Sequence, residues 1–127
     1  MRHNFEVEPG ANPKPKELQA ASYLAKHGFK VILLKPVNKP GAKNPDAKIN
    51  GVVFEIKTPT SNRPRTTIKR FQEAMGQSKC VIFDLRKVKG SVENMEKLLL
   101  KLAGDLKCQR LIIITKQNKT IDTADQI

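Results

Sequence analysis

Residues 44–60 read NPDAKINGVVFEIKTPT. Asn50-Gly51, at the centre of this stretch, is a strong hairpin signal, because both residues accept the positive φ that a two-residue turn needs. A ribbon folded there sets Ile49 opposite Val52, Lys48 opposite Val53, Ala47 opposite Phe54 and Asp46 opposite Glu55. Side chains alternate between the two faces of a strand. Ala47, Ile49, Val52, Phe54 and Ile56 are therefore expected on one apolar face, with Asp46, Lys48, Val53, Glu55 and Lys57 on the other.

Two like charges directly opposite one another destabilise a sheet. Lys48 or Lys57 could offset the repulsion between Asp46 and Glu55, and a divalent cation held between them would do so better. Hard cations such as Mg²⁺ take oxygen ligands and keep some of their waters. A metal-bound water can be activated as a nucleophile, and the ion stabilises charge on a phosphate in transfer. Asp46 and Glu55 are thus candidate metal ligands. Lys57, on the same face, is a candidate to orient that water or to neutralise developing negative charge. Charges at alternate positions also describe an ordinary solvated strand. The surroundings weigh against that reading, as the charge distribution shows.

The net charge is +12. Residues 14–70 carry 13 Lys and Arg but only three acids, Glu17, Asp46 and Glu55. Such a segment calls for a polyanionic partner: nucleic acid first, an acidic membrane or acidic protein second. Isolated acids on a face that grips phosphates oppose affinity, so carboxylates placed there make sense if they hold metal. Arg63, Arg65, Lys69 and Arg70 cluster at the start of a helix, where arginine forks and the helix N-terminus both suit phosphate. Lys35, Lys39 and Lys43 lie in the loop PVNKPGAKNP and its approach, positioned to grip backbone without reading sequence. All seven are candidate nucleic-acid contacts.

The chain of 127 residues suits one domain with a modest core, 39% of its residues being apolar. Residues 1–13 read as an irregular lead-in or linker, and 14–127 as a single domain. Pro15 opens a helix running to Lys26 that ends at His27-Gly28, Gly28 serving as a left-handed cap. FKVILLK (29–35) is a buried strand, followed by the hairpin. RPRTTIKRFQEAMGQ holds a second helix with Ile68, Phe71 and Met75 inward, and CVIFDL is a strand. A third helix, capped by Ser91, carries the apolar stripe Val92, Met95, Leu98, Leu99, Leu102 and Leu106. RLIIIT is the last strand, and a polar tail follows it. The order is α-β-β-β-α-β-α-β, an α/β fold with a central mixed sheet of about five strands flanked by three helices.

Other chemistries are poorly served. Cys80 and Cys108, each beside an apolar run, read as small packed residues and make no zinc cluster. His27 reads as a helix C-terminal residue and His3 falls in the lead-in; neither has zinc spacing nor lies in the carboxylate motif. Tyr23 and the five Phe are too scattered for a base-stacking platform. Asp84, at a strand end, reads as a structural acid. No apolar run is long enough to span a bilayer, and the start lacks a secretory signal's apolar stretch.

Asn44-Pro45-Asp46, Glu55-Ile56-Lys57, the upstream helix bearing Glu17 and the element order together resemble the PD-(D/E)XK nuclease superfamily over residues 15–86. Within it the chain is similar to the C-terminal toxin domains of contact-dependent growth inhibition systems, on the run ELQAASYLAKHGFKVILL, the basic loop, NPDAKINGVVFEIKT and the helix leading to VIFDL. The resemblance implies a metal-dependent endonuclease acting on RNA, with tRNA the expected substrate. Asp46 and Glu55 would ligate the metal, Lys57 would be the catalytic lysine and Glu17 an auxiliary catalytic acid. Gln72 or Gln77 would supply the polar residue that relatives place in the following helix. Mg²⁺ is the expected ion, with Mn²⁺ and Zn²⁺ as alternatives. An acidic cognate immunity protein is the implied partner, complementing the +12 charge. The domain would then be the C-terminal part of a larger secreted or surface protein, with no membrane anchor of its own, acting in the bacterial cytoplasm. Still open at this point are a non-catalytic nucleic-acid-binding domain, a degenerate member of the same fold acting as an interaction module, and a DNA nuclease of that fold.

Overall fold

The computed structural model describes residues 4–125; His3 lies outside them. A mixed sheet of seven strands runs in chain order, β1 (Glu6–Val7), β2 (Val31–Leu33), β3 (Ala47–Ile49), β4 (Val52–Lys57), β5 (Cys80–Asp84), β6 (Arg110–Ile114) and β7 (Thr120–Asp122). Strands β4, β5 and β6 are mutually parallel, β2–β3–β4 form an antiparallel meander, β1 lies parallel to β2, and β7 lies antiparallel to β6. Three helices pack on this sheet: α1 (Pro15–Lys26), α2 (Pro64–Gln77) and α3 (Glu93–Asp105).

The sheet separates two cores. On one face α1 contributes Ala20, Ala21, Tyr23 and Leu24 against Leu33, Ile49, Phe54, Ile56, Ile82 and Ile112. On the other, α2 and α3 pack Phe71, Ala74, Met95 and Leu99 against Val81, Phe83, Leu111 and Ile113. Both faces of β5 and β6 are thus covered, which is why VIF and LIII read as continuous apolar runs instead of alternating. Each large side chain buried here contributes on the order of 2 kcal/mol.

The hairpin has the expected register, Ile49 opposite Val52, Lys48 opposite Val53 and Ala47 opposite Phe54. Asn50 and Gly51 both take positive φ, 49° and 83°, and the Asn50 Oδ1 accepts the Lys30 N–H at 2.8 Å, tying the turn to the start of β2. Val52, expected on the apolar face, is exposed beside the turn.

Two expectations need correction. The sheet has seven strands, not five: β1 arises within the supposed lead-in, where Phe5 also packs against the core, and β7 arises within the supposed polar tail. Both are edge strands of two or three residues, too short to show a period of two. Ser91 does not cap α3: the N-cap is Val92, with no side-chain cap hydrogen bond. Gly28 does adopt the left-handed conformation after α1 (φ 92°).

Two buried or half-buried ion pairs pin the sheet. Asp84 accepts from Arg86 Nε and Nη2 at 2.9 and 2.8 Å, and the Arg86 guanidinium lies over Tyr23, 4.9 Å from the ring centroid. Asp122 accepts from Arg110 Nε and Nη2 at 3.0 and 2.6 Å, clamping β7 to β6. Asp84 is therefore a structural acid. Both cysteines are free, and burial pushes the Cys108 thiol up to about 11, far from nucleophilic at neutral pH.

Candidate active site

Asp46 is placed by the end of the hairpin. Its N–H donates to the Phe54 carbonyl at 3.1 Å and its carbonyl accepts the Leu34 N–H at 2.9 Å, so its backbone bridges β2 and β4. Beyond Ala47 the ladder gives way to a side chain: the Ile56 N–H donates to Asp46 Oδ2 at 2.8 Å. The carboxylate thus takes a bond that a further ladder residue would otherwise make.

Glu55 follows on β4, paired with Val81 of β5. It is only 7% exposed, so it does not lie on a solvated outer face. Lys57 Nζ lies 3.7 Å from Glu55 Oε2. The other oxygen, Oε1, is buried without a hydrogen-bond partner. Burial, followed by the charge and the hydrogen-bonding reach of Asp46, pushes the Glu55 carboxyl up to about 8, against a smaller opposing pull from Lys57. A carboxylate that is withdrawn from water, set against a second acid and left with an orphaned oxygen is one that a cation would stabilise.

Glu17 joins from the first turn of α1. Its Oε1 accepts the Lys14 N–H at 2.9 Å, the capping role open to a first-turn acid. It also reaches Asp46: burial first, then the Asp46 charge, hold its carboxyl above the ordinary 4.5, partly offset by the Lys14 N–H. Asp46 therefore acts on both Glu17 and Glu55. No group of three or more His, Cys, Asp or Glu among the described residues is set to hold a metal ion. The carboxylates that could hold one are the pair Asp46 and Glu55. That pair fits an oxygen-loving cation that keeps most of its positions for water and substrate oxygens.

These residues line a half-open cavity of about 510 Å³. Their polar groups share the lining with the apolar residues Pro13, Leu34, Pro36 and Pro45. The loop that carries Asp46 is braced twice. Asn44 Oδ1 accepts the Val37 N–H at 2.6 Å, and the Asn44 N–H donates to Gln77 Oε1 at 2.8 Å, reaching the last turn of α2. Gln77 thus holds the Asp46 loop, while Gln72 is exposed. Sequence reasoning did not single out Asn44 for this role; an Asn directly before Pro-Asp, able to bond nearby backbone, was the available signal.

Of the cationic candidates, Arg70 lines the cavity, and its Nη1 donates to Glu73 Oε1 at 2.7 Å. Arg63, Arg65 and Lys69 are exposed around the first half of α2, and Lys35, Lys39 and Lys43 along the 34–46 loop. Those six lie outside the cavity lining. The Lys35 N–H donates to Glu8 Oε1 at 3.0 Å.

No helix among the described residues is long and apolar enough to cross a membrane. No curated relative matches the chain significantly. A solved structure described as a CdiA-CT/CdiI toxin and immunity complex from Burkholderia pseudomallei is similar in fold, with a TM-score of 0.66 at 22% identity, over 92% of this chain and 97% of that one. The family model for the contact-dependent growth inhibition CdiA C-terminal domain matches residues 43–120, more than half of the chain and the whole hairpin with its acid pair. The chain therefore belongs to the contact-dependent growth inhibition CdiA C-terminal domain family.

Proposed function

We propose that this toxin domain is a metal-dependent endonuclease that hydrolyses phosphodiester bonds in RNA, with tRNA as its substrate class, on a PD-(D/E)XK-like framework. The observation that carries the reading is Glu55: a buried carboxylate set against Asp46, with Oε1 unpartnered and Lys57 Nζ 3.7 Å from its other oxygen. Purely structural acids in this chain look different, Asp84 and Asp122 each being matched by a two-pronged arginine.

Asp46 and Glu55 would hold the ion, Mg²⁺ by preference, with Mn²⁺ or Zn²⁺ as alternatives. The ion supplies Lewis acidity toward a phosphate and a more acidic bound water. The chain's own residues do the rest. Lys57 stands beside the acids to orient the attacking water or to balance charge as the pentavalent phosphorus forms. Glu17 adds a third carboxyl next to Asp46, as an auxiliary acid. Arg70 at the cavity wall is placed to receive a phosphate, and Lys35, Lys39, Lys43, Arg63, Arg65 and Lys69 extend the cationic surface along which an RNA backbone lies.

The fold neighbour is a toxin held with an immunity protein. An acidic immunity partner is the matching expectation for a chain of net charge +12. As part of a larger surface protein, the domain would act in the cytoplasm of a target bacterium.

The test is incubation with total tRNA and, separately, with duplex DNA, with Mg²⁺ or with EDTA, beside Asp46→Ala. Chelator-sensitive cleavage of tRNA that is lost in the variant supports the reading. Preferential cleavage of DNA moves the substrate class. A gel shift without cleavage, unchanged by the substitution, leaves a nucleic-acid-binding module.

A further inference from the structure

The shape of the site selects among RNAs. Glu55 is 7% exposed and forms part of the cavity lining, with Oε1 closed to solvent. A phosphate that is to meet this acid has to enter a recess instead of resting on a convex surface. The recess measures about 510 Å³, within the ~300–1,000 Å³ of sites that enclose a compact organic molecule, and a mononucleotide is of that size. Its lining combines the two kinds of surface a nucleotide needs. The acids, Lys57 and Arg70 supply charged groups, and Pro13, Leu34, Pro36 and Pro45 supply apolar surface. In a duplex the bases face inward and the backbone forms a broad outer ridge, so neither base nor sugar can occupy such a hollow without leaving the stack.

We infer that the cavity lined by Pro13, Leu34, Pro36 and Pro45 together with Asp46, Glu55 and Lys57 takes one unpaired nucleotide, so that the enzyme cuts loops and single-stranded ends and spares paired stems. This rests on the endonuclease reading above and narrows its substrate. The apolar lining residues are three prolines and a leucine, which carry no side-chain hydrogen-bonding group to tell one base from another. The geometry therefore fixes strandedness more strongly than base identity.

The test uses one RNA sequence in three forms: a free strand, the same strand annealed to its complement, and a hairpin that places the central nucleotides in the loop. Cleavage is mapped with Mg²⁺. Binding is measured separately in EDTA, with a fluorescent adenine analogue at the central position. The free strand and loop are expected to be cut and bound about 100-fold better than the duplex, the ratio set by the cost of extruding a paired base. The analogue's emission changes on binding as it leaves its neighbours. Pro36→Ala, on the exposed loop, is expected to weaken free-strand binding by up to about 15-fold, the worth of the two methylenes removed, and to leave duplex binding unchanged. Cutting at paired positions at the free-strand rate overturns the inference, and so does equal binding of strand and duplex. An equal loss for both RNAs in Pro36→Ala also overturns it, since the proline would then only shape its loop. If no RNA is cut but strand preference and the emission change persist, the nucleotide cavity stands and the endonuclease reading fails.

Discussion

Glu55→Gln is expected to make the protein more stable at neutral and alkaline pH while abolishing cleavage. The substitution keeps the shape of the side chain and removes its charge. The carboxyl is displaced from 4.5 to about 8 by burial and by Asp46, so the folded chain holds this proton more tightly than the unfolded chain. The sign follows from that. The contribution to stability is fully present below about pH 4.5, falls as pH rises, and is exhausted above about pH 8. At ~1.4 kcal/mol per pH unit, ionising Glu55 opposes folding by on the order of 3 kcal/mol at pH 7. Gln retains a polar group on the buried side, so the net gain should be smaller, about 1–2 kcal/mol. Urea unfolding at pH 5, 7 and 9, with and without Mg²⁺, checks this. The wild-type chain should lose stability across that range relative to Glu55→Gln, and Mg²⁺ should restore part of the difference in the wild type alone. Parallel pH curves for the two proteins would show that Glu55 is not held against its ionised form. A variant less stable at pH 9 than the wild type would refute the burial argument outright.

Other substitutions probe the scaffold. Gln77→Ala should lower cleavage about 10-fold with at most ~1 kcal/mol of lost stability, because it frees the Asn44 N–H and slackens the Asp46 loop; kcat and urea midpoints on the same preparation separate the two effects. Gly51→Ala should cost about 1 kcal/mol through backbone strain alone, since φ is 83° and no heavy atom lies within 4 Å of an added Cβ; thermal melts report it, and no change would deny the turn its conformation. Arg86→Ala should destabilise by about 3 kcal/mol, leaving Asp84 buried without its cation, whereas Arg86→Ala with Asp84→Asn should recover much of the loss in a double-mutant cycle.

The hairpin could be read to the residue because one dipeptide fixes its turn, and alternation then carries every neighbour along. The α1 boundaries were equally legible, from Pro15 at one end and His27-Gly28 at the other. The edges of the sheet were not. Glu6–Val7 and Thr120–Asp122 pair through backbone geometry, and their side chains announce nothing. The burial of Glu55 was also invisible locally, since alternation put it on the same face as exposed Lys48, and only tertiary packing around β4 withdraws it from water. Glu17 shows the remaining gap. Its place in the first turn was plain from sequence, but that it reaches Asp46 depends on how α1 crosses the sheet, which no local pattern specifies. The loop brace between Asn44 and Gln77 spans 33 positions and follows from the tertiary arrangement alone.

The bond from the Ile56 amide to Asp46 Oδ2 has a further implication. That bond orients the carboxylate from the β4 backbone, so its attitude is set by the strand and not by the rotamer freedom of a loop side chain. Any ion held there would meet a carboxylate whose direction was fixed when the hairpin folded.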